Sequence, residues 1–261
     1  MAGEVRIERE GGIGWLIFDH VERRNAVSAS MWEAVPKRLA ELDDTPEVRV
    51  IVLRGAGDVA FVSGADISEF EERRTGTDAS KAYEEATQGA FNALGTTRKP
   101  VVCAIQGFCV GGGLAVALCT DLRYAADDAV FAIPAARLGL AYHPGGIKNL
   151  LHTVGPQVTK EILFTARRFN AEEALQRGWL NEVLPKADLF DHVREMAGRI
   201  ADNAPLTVQS AKQVIRELQR DPDARDHEAM LAGINACFDS EDYREGVRAF
   251  MEKRRPVFRG Q

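Results

Sequence analysis

Three consecutive glycines, Gly111, Gly112 and Gly113, separate an apolar run ending at Ile105 from a second one at residues 114–119. Without a Cβ, each lets another group come close to its backbone. If residues 114–119 are helical, the free amides at the start of that helix suit an anion, or an oxygen that becomes anionic during a reaction. A second glycine turn, Ser63-Gly64-Ala65-Asp66, also precedes a helical pattern. One N–H from each turn could hold a single carbonyl oxygen, and losing such a donor typically costs about 3 kcal/mol of barrier. The same glycines equally suit plain close packing of strand on helix, and spacing alone does not choose.

The loop at residues 135–146 sets Tyr142 and His143 among alanines and glycines. Histidine moves protons near neutral pH, and a phenol donates a hydrogen bond. Both are candidates for proton transfer or positioning, against a reading in which Tyr142 packs and His143 lies on the surface. Asp66, Glu69, Glu71 and Glu72 form an acidic run that reads as a solvated helix face, with Asp66 a cap. Asp121 reads as structural. Arg137 suits either a loop ion pair or an anionic substrate group. Nucleotide fingerprints are absent, and Ser63 is not in a nucleophile-elbow context.

The elements that must position these residues follow from periodicity. Residues 5–9 and 15–18 flank a glycine turn and predict a hairpin. Ser28 predicts the cap of a helix running to about Asp43, with Met31, Val35, Leu39 and Leu42 on one face. Residues 48–53 and 101–105 are continuous apolar runs, as in strands buried on both faces. Residues 55–60 read as a loop, 75–78 as a flexible connection and 79–94 as a helix. Short strands are expected at 122–125, 130–133 and 182–184, and helices at 145–154 and 156–164. Asn170, followed by Glu172 and Glu173, starts another helix. From residue 189 only helical patterns follow. The expectation is a mixed α/β core over residues 1–200 and an all-helical region over 201–261.

The 261 residues are 45% hydrophobic and 28% charged, with a net charge of −6, which argues against a nucleic-acid partner. No apolar run reaches membrane-spanning length, and the first residues carry no signal-peptide core. Cys103, Cys109, Cys119 and Cys237 show no metal-ligand spacing and no disulfide framework, so no metal and a reducing cytoplasm are expected.

Several segments together carry a family resemblance: Arg23-Arg24-Asn25-Ala26-Val27, residues 61–67, residues 105–121, Asn170-Ala171-Glu172-Glu173-Ala174 and residues 243–254. Over nearly its whole length the chain resembles the crotonase superfamily, the enoyl-CoA hydratases and isomerases. The resemblance implies a spiral of ββα units with a C-terminal helical trimerisation region, as a homotrimer or dimer of trimers. It implies an acyl-CoA substrate, with coenzyme A part of the thioester and no tightly bound cofactor. Ala65 and Gly112 would supply the oxyanion amides. Arg24, Ala26, Ala65, Asp66, Ile67 and Gly112 fall where the family touches CoA, and Lys253 and Phe258 extend those contacts from the tail. The family's two catalytic glutamates fall on Ala115 and Ala135, which cannot move protons. Enolate stabilisation survives that loss. Decarboxylation of a malonyl-type CoA and non-catalytic acyl-CoA binding are therefore the alternatives to hydratase-like chemistry.

Overall fold

The computed structural model describes residues 3–69 and 77–261. Glu71, Glu72 and the first half of the 75–78 connection lie outside these residues. Its second half opens a helix.

Strands β1 (Glu4–Glu10) and β2 (Ile13–Asp19) form the expected antiparallel hairpin, turning at Gly11 with φ 56°. β2 then pairs in parallel with β3 (Val50–Gly55). Strand β4 (Ala60–Val62) leaves this sheet, while β5 (Val101–Ile105) continues it. Strands β6 (Phe108–Val110), β7 (Leu122–Ala126), β8 (Val130–Ala132), β9 (Phe169–Asn170) and β10 (Glu182–Leu184) complete two sheets. One has the order β1-β2-β3-β5-β7-β10, the other β4-β6-β8-β9. This is the α/β spiral with a helical C-terminal region that the resemblance implied. The second sheet was not legible in advance. β4 and β6 were not expected, with only Ala60 of β4 falling in the loop read over 55–60, because three residues are too few to show a period of two. They form because each successive unit lays a short strand beside the previous one.

Helix α1 (Ala29–Asp44) begins where Ser28 Oγ accepts from Met31 N at 3.3 Å, and Met31, Val35, Leu39 and Leu42 are buried as expected. Glu69 adds an unforeseen contact, accepting from Ala29 N at 2.8 Å. Helix α2 (Thr77–Thr96) packs against α1, and α3 (Gly112–Leu118) follows the triple glycine. Helix α4 (Pro144–Thr165) merges the two helices expected there across a kink at Gly155. α5 (Ala171–Gln176) starts in a capping box between Asn170 and Glu173. Helix α6 (Leu189–Asp202) covers the other face of the large sheet, where Leu189, Val193 and Ala197 meet Trp15, Val50 and Val102.

Helices α7 (Pro205–Leu218), α8 (His227–Asp239) and α9 (Glu241–Met251) form the tail. Lys212 on α7 ties it to the sheet through Asp121 at 2.7 Å and the carbonyl of Lys99 at 2.8 Å. Asp121 also accepts from Val101 N at 2.7 Å, the structural role expected of it. Among the described residues no helix is long and apolar enough to cross a membrane.

Candidate active site

Val27 and Ala65 form an isolated parallel bridge. Val27 N donates to Gly64 O at 2.8 Å, and Asp66 N donates to Val27 O at 3.0 Å. Because the bridge uses the groups of residues 64 and 66, the amide of Ala65 faces the opposite edge. Gly111 and Gly112 stand there. A Cβ on Gly112 would lie 4.0 Å from Ala65 N, and one on Gly111 would lie 3.8 Å from Gly64 Cα. Gly112 is the first residue of α3, so its amide has no partner within that helix. Two of the three glycines are sterically required. Gly111 sits at φ 55°, and a Cβ on Gly113 would come within 2.2 Å of Val62 O. Close packing therefore accounts for Gly111 and Gly113, and the same packing brings the Ala65 turn beside Gly112.

Both turns open onto a cavity of about 270 Å³. One wall is aromatic. Trp32 Nε1 donates to Tyr83 Oη at 3.0 Å, and the Trp32 and Phe91 rings meet edge-on at 5.6 Å. These three residues line the cavity, yet nothing in the sequence marked them. A helix face looks alike whether it meets core or cavity.

The facing wall is the loop before α4. The ring of Tyr142 lies 2.7 Å from where a Cβ on Gly146 would stand, so only glycine leaves it room. Burial pushes the Tyr142 phenol well above its usual range, with the Cys119 and Cys109 thiols acting in the same direction. It is therefore a neutral hydrogen-bond donor. Cys119 itself is pushed up to about 12 by burial, although Asn149 Nδ2 donates to its sulfur at 3.2 Å. His143 is exposed and is the N-cap of α4, where its Nδ1 accepts from Gly145 N at 3.2 Å. A neutral ring used this way carries its proton on Nε2. Ala135 lines the cavity, whereas Ala115 is buried in α3 at 6% exposure.

At the outer edge, Arg24, Ala26, Ala65, Asp66 and Ile67 come together. Ser63 N donates to Arg24 O at 3.2 Å, alongside the Val27–Ala65 bridge. Arg24 has φ 52° and lays its guanidinium 4.9 Å from the Phe108 ring centroid. Asp66 accepts from the amide and hydroxyl of Ser68 at 3.0 and 2.7 Å, which makes it the local cap expected. These bonds, together with Arg23, hold its carboxyl below the usual range against the opposing effect of burial. Lys253 and Phe258 do not join this group within the chain. Phe258 O accepts from Arg49 at 2.6 Å and its ring faces Gly246, while Lys253 lies just past the C-cap of α9 at φ 55°.

The family model for enoyl-CoA hydratase/isomerase matches residues 8–261. A short-chain-enoyl-CoA hydratase of Clostridium acetobutylicum is 34% identical, covering 96% of this chain and 95% of that protein. A carnitinyl-CoA dehydratase of Escherichia coli O157:H7 is 32% identical over 100% of both. Among solved structures, an enoyl-CoA hydratase/carnithine racemase from Magnetospirillum magneticum superposes with a TM-score of 0.94 at 32% identity, covering 98% of this chain and 96% of that one.

Proposed function

The chain belongs to the enoyl-CoA hydratase/isomerase family, and from that premise we propose that it is a hydratase-like lyase acting on CoA thioesters. The amides of Ala65 and Gly112 hold the thioester oxygen in this reading. The observation that carries it is the Ala65 amide, turned away from Val27 towards Gly112 at the wall of the cavity. Relatives bear the names of enzymes that add water to, or remove it from, CoA thioesters.

As a water oxygen adds to the β-carbon, the electron pair of the double bond moves towards the carbonyl oxygen. Two fixed amides stabilise that oxygen more as an enolate than as a carbonyl, which lowers the barrier. The addition is neutral overall if the Tyr142 hydroxyl, held neutral, takes up the proton that water loses as it passes its own to the α-carbon, with His143 Nε2–H a further hydrogen-bond donor beside it. With alanine at 115 and 135, no carboxylate at those positions takes the proton that water loses. Each missing acid–base group costs about 10²- to 10⁴-fold, so hydration slower than that of a two-glutamate enzyme is expected. CoA binds along Arg24, Ala26, Asp66 and Ile67, and its distant contacts supply binding energy for orienting the thioester.

The helical region 201–261 exposes Ile215, Leu218, Leu231, Phe238, Phe250 and Met251. We assign this surface to contact with further copies of the chain, as a trimer or dimer of trimers. In that assembly Lys253 and Phe258 would reach a neighbour's CoA rather than their own. Loss of enoyl absorbance from crotonyl-CoA tests the activity. Carbon dioxide release from methylmalonyl-CoA without hydration would replace this reading by decarboxylation. Tight CoA binding without any turnover would replace it by a silent binding protein.

A further inference from the structure

Glu84 is the single carboxylate lining the cavity, and no Lys or Arg lines it among the described residues. Glu84 lies on α2, exposed, with Thr87 and Gln88 on the same helix face one turn further on. No hydrogen bond or ion pair joins its carboxylate to a described residue. Tyr83 and Phe91 flank it along α2, and Trp32 stands behind them. Tyr142 lines the cavity from the facing loop. The two walls meet where a Cβ on Gly145 would lie 3.3 Å from Gln88 Oε1. One enclosure thus gathers four aromatic side chains and one unpaired negative charge.

We propose that this enclosure recognises a cationic group, an ammonium or quaternary ammonium, on the acyl chain of the CoA thioester. The inference rests on the acyl-CoA reading above. Ring faces attract a cation within about 6 Å through their quadrupole, and aromatic enclosures suit quaternary ammonium groups in particular. Glu84 adds a full opposite charge that no described lining side chain neutralises. Among the described residues His143 is the one other titratable side chain of the lining besides the tyrosines, and it is engaged at Nδ1 as a cap. An anionic acyl group would meet Glu84 with no Lys or Arg among the described lining residues to offset it.

Calorimetry with three thioesters tests this: 4-(trimethylammonio)butyryl-CoA, its neutral isostere 5,5-dimethylhexanoyl-CoA, and anionic glutaryl-CoA. The cationic ligand should bind about tenfold more tightly than the neutral one, and glutaryl-CoA more weakly than both. Glu84→Gln should shrink the cation preference to about threefold or less and leave the affinity for the neutral ligand unchanged. Phe91→Leu, which keeps apolar bulk, should lower the preference without altering charge. Equal affinities in the unmodified protein, or a preference untouched by Glu84→Gln, would overturn the proposal. So would a Glu84→Gln variant that keeps the preference but loses exchange of the α-proton, because Glu84 would then be a proton-transfer group. Failure to bind any of the three would overturn the acyl-CoA reading together with this one.

Discussion

The indole of Trp32 stands 3.0 Å from where a Cβ on Gly112 would lie, against the residue whose amide is proposed to hold the thioester oxygen. Gly112 is thus hemmed in by the ring on one side and the Ala65 turn on the other. Gly112→Ala should therefore fold, with the indole forced to shift, at a cost of about 1–3 kcal/mol in stability. Turnover should fall at least about tenfold, because a small displacement of an oxyanion donor is felt in the transition state. Thermal unfolding and steady-state kinetics on one preparation measure both. Unchanged kcat would remove Gly112 from the mechanism.

The two alanines at the family's glutamate positions should respond differently to replacement. Ala135 lines the cavity, so Ala135→Glu has space and solvent for its carboxylate and should leave stability within about 1 kcal/mol. It should also raise hydration of crotonyl-CoA by restoring one acid–base group. Ala115 is buried at 6% exposure. Ala115→Glu forces a carboxylate into packed surroundings and should cost about 2 kcal/mol or more. Denaturant titration of both variants checks the contrast.

Tyr142→Phe isolates the phenol hydroxyl from the ring. The ring supplies the packing over Gly146, so stability should change by less than about 1 kcal/mol. Turnover should drop by about 10- to 100-fold if the hydroxyl donates in the transition state. An unaltered rate would leave Tyr142 as wall alone.

His143 has a structural task that can be separated from any chemical one. His143→Ala removes the acceptor for Gly145 N and should lower stability by about 0.5–2 kcal/mol, and His143→Asn should restore most of it. If turnover returns with Asn as well, capping accounts for the residue. If stability returns and turnover does not, the imidazole takes part in the reaction.

Acid should loosen the C-terminal arm. Arg254 and Val257 N bind the Glu245 carboxylate at 2.6 and 3.0 Å and depress it to about 2 from its usual 4.5. A depressed folded-state value stabilises the fold above about pH 4.5, and the contribution fades as pH falls towards 2. The difference in Tm between the unmodified protein and Glu245→Gln should accordingly be constant above pH 5 and close up between 4.5 and 2. A difference that grew in acid would contradict the assignment.

Much of the scaffold was legible in the residues. Ser28 announced α1, the apolar runs announced β3 and β5, and Asn170 with Glu173 announced α5. Each of these signals acts within a few positions of chain. Tyr142 and His143 stood out by type, but their neighbours Trp32, Tyr83, Glu84 and Phe91 did not. Residues facing a cavity carry the same helical period as residues facing a core. Glu69, read as part of a solvated face, caps α1 from the far side of a loop.

By itself the amino-acid order determined the two glycine turns, the alanines at 115 and 135, and the alternation of strand and helix. These depend on local sterics, on capping and on which atoms a side chain possesses. The tertiary structure alone decided that the Ala65 turn packs beside Gly112, that short strands gather into a second sheet, and that Phe258 is tied to Arg49. Such relations join segments far apart in the chain. They are set by strand pairing and by the space left between packed elements, and neither quantity is stored in any local stretch.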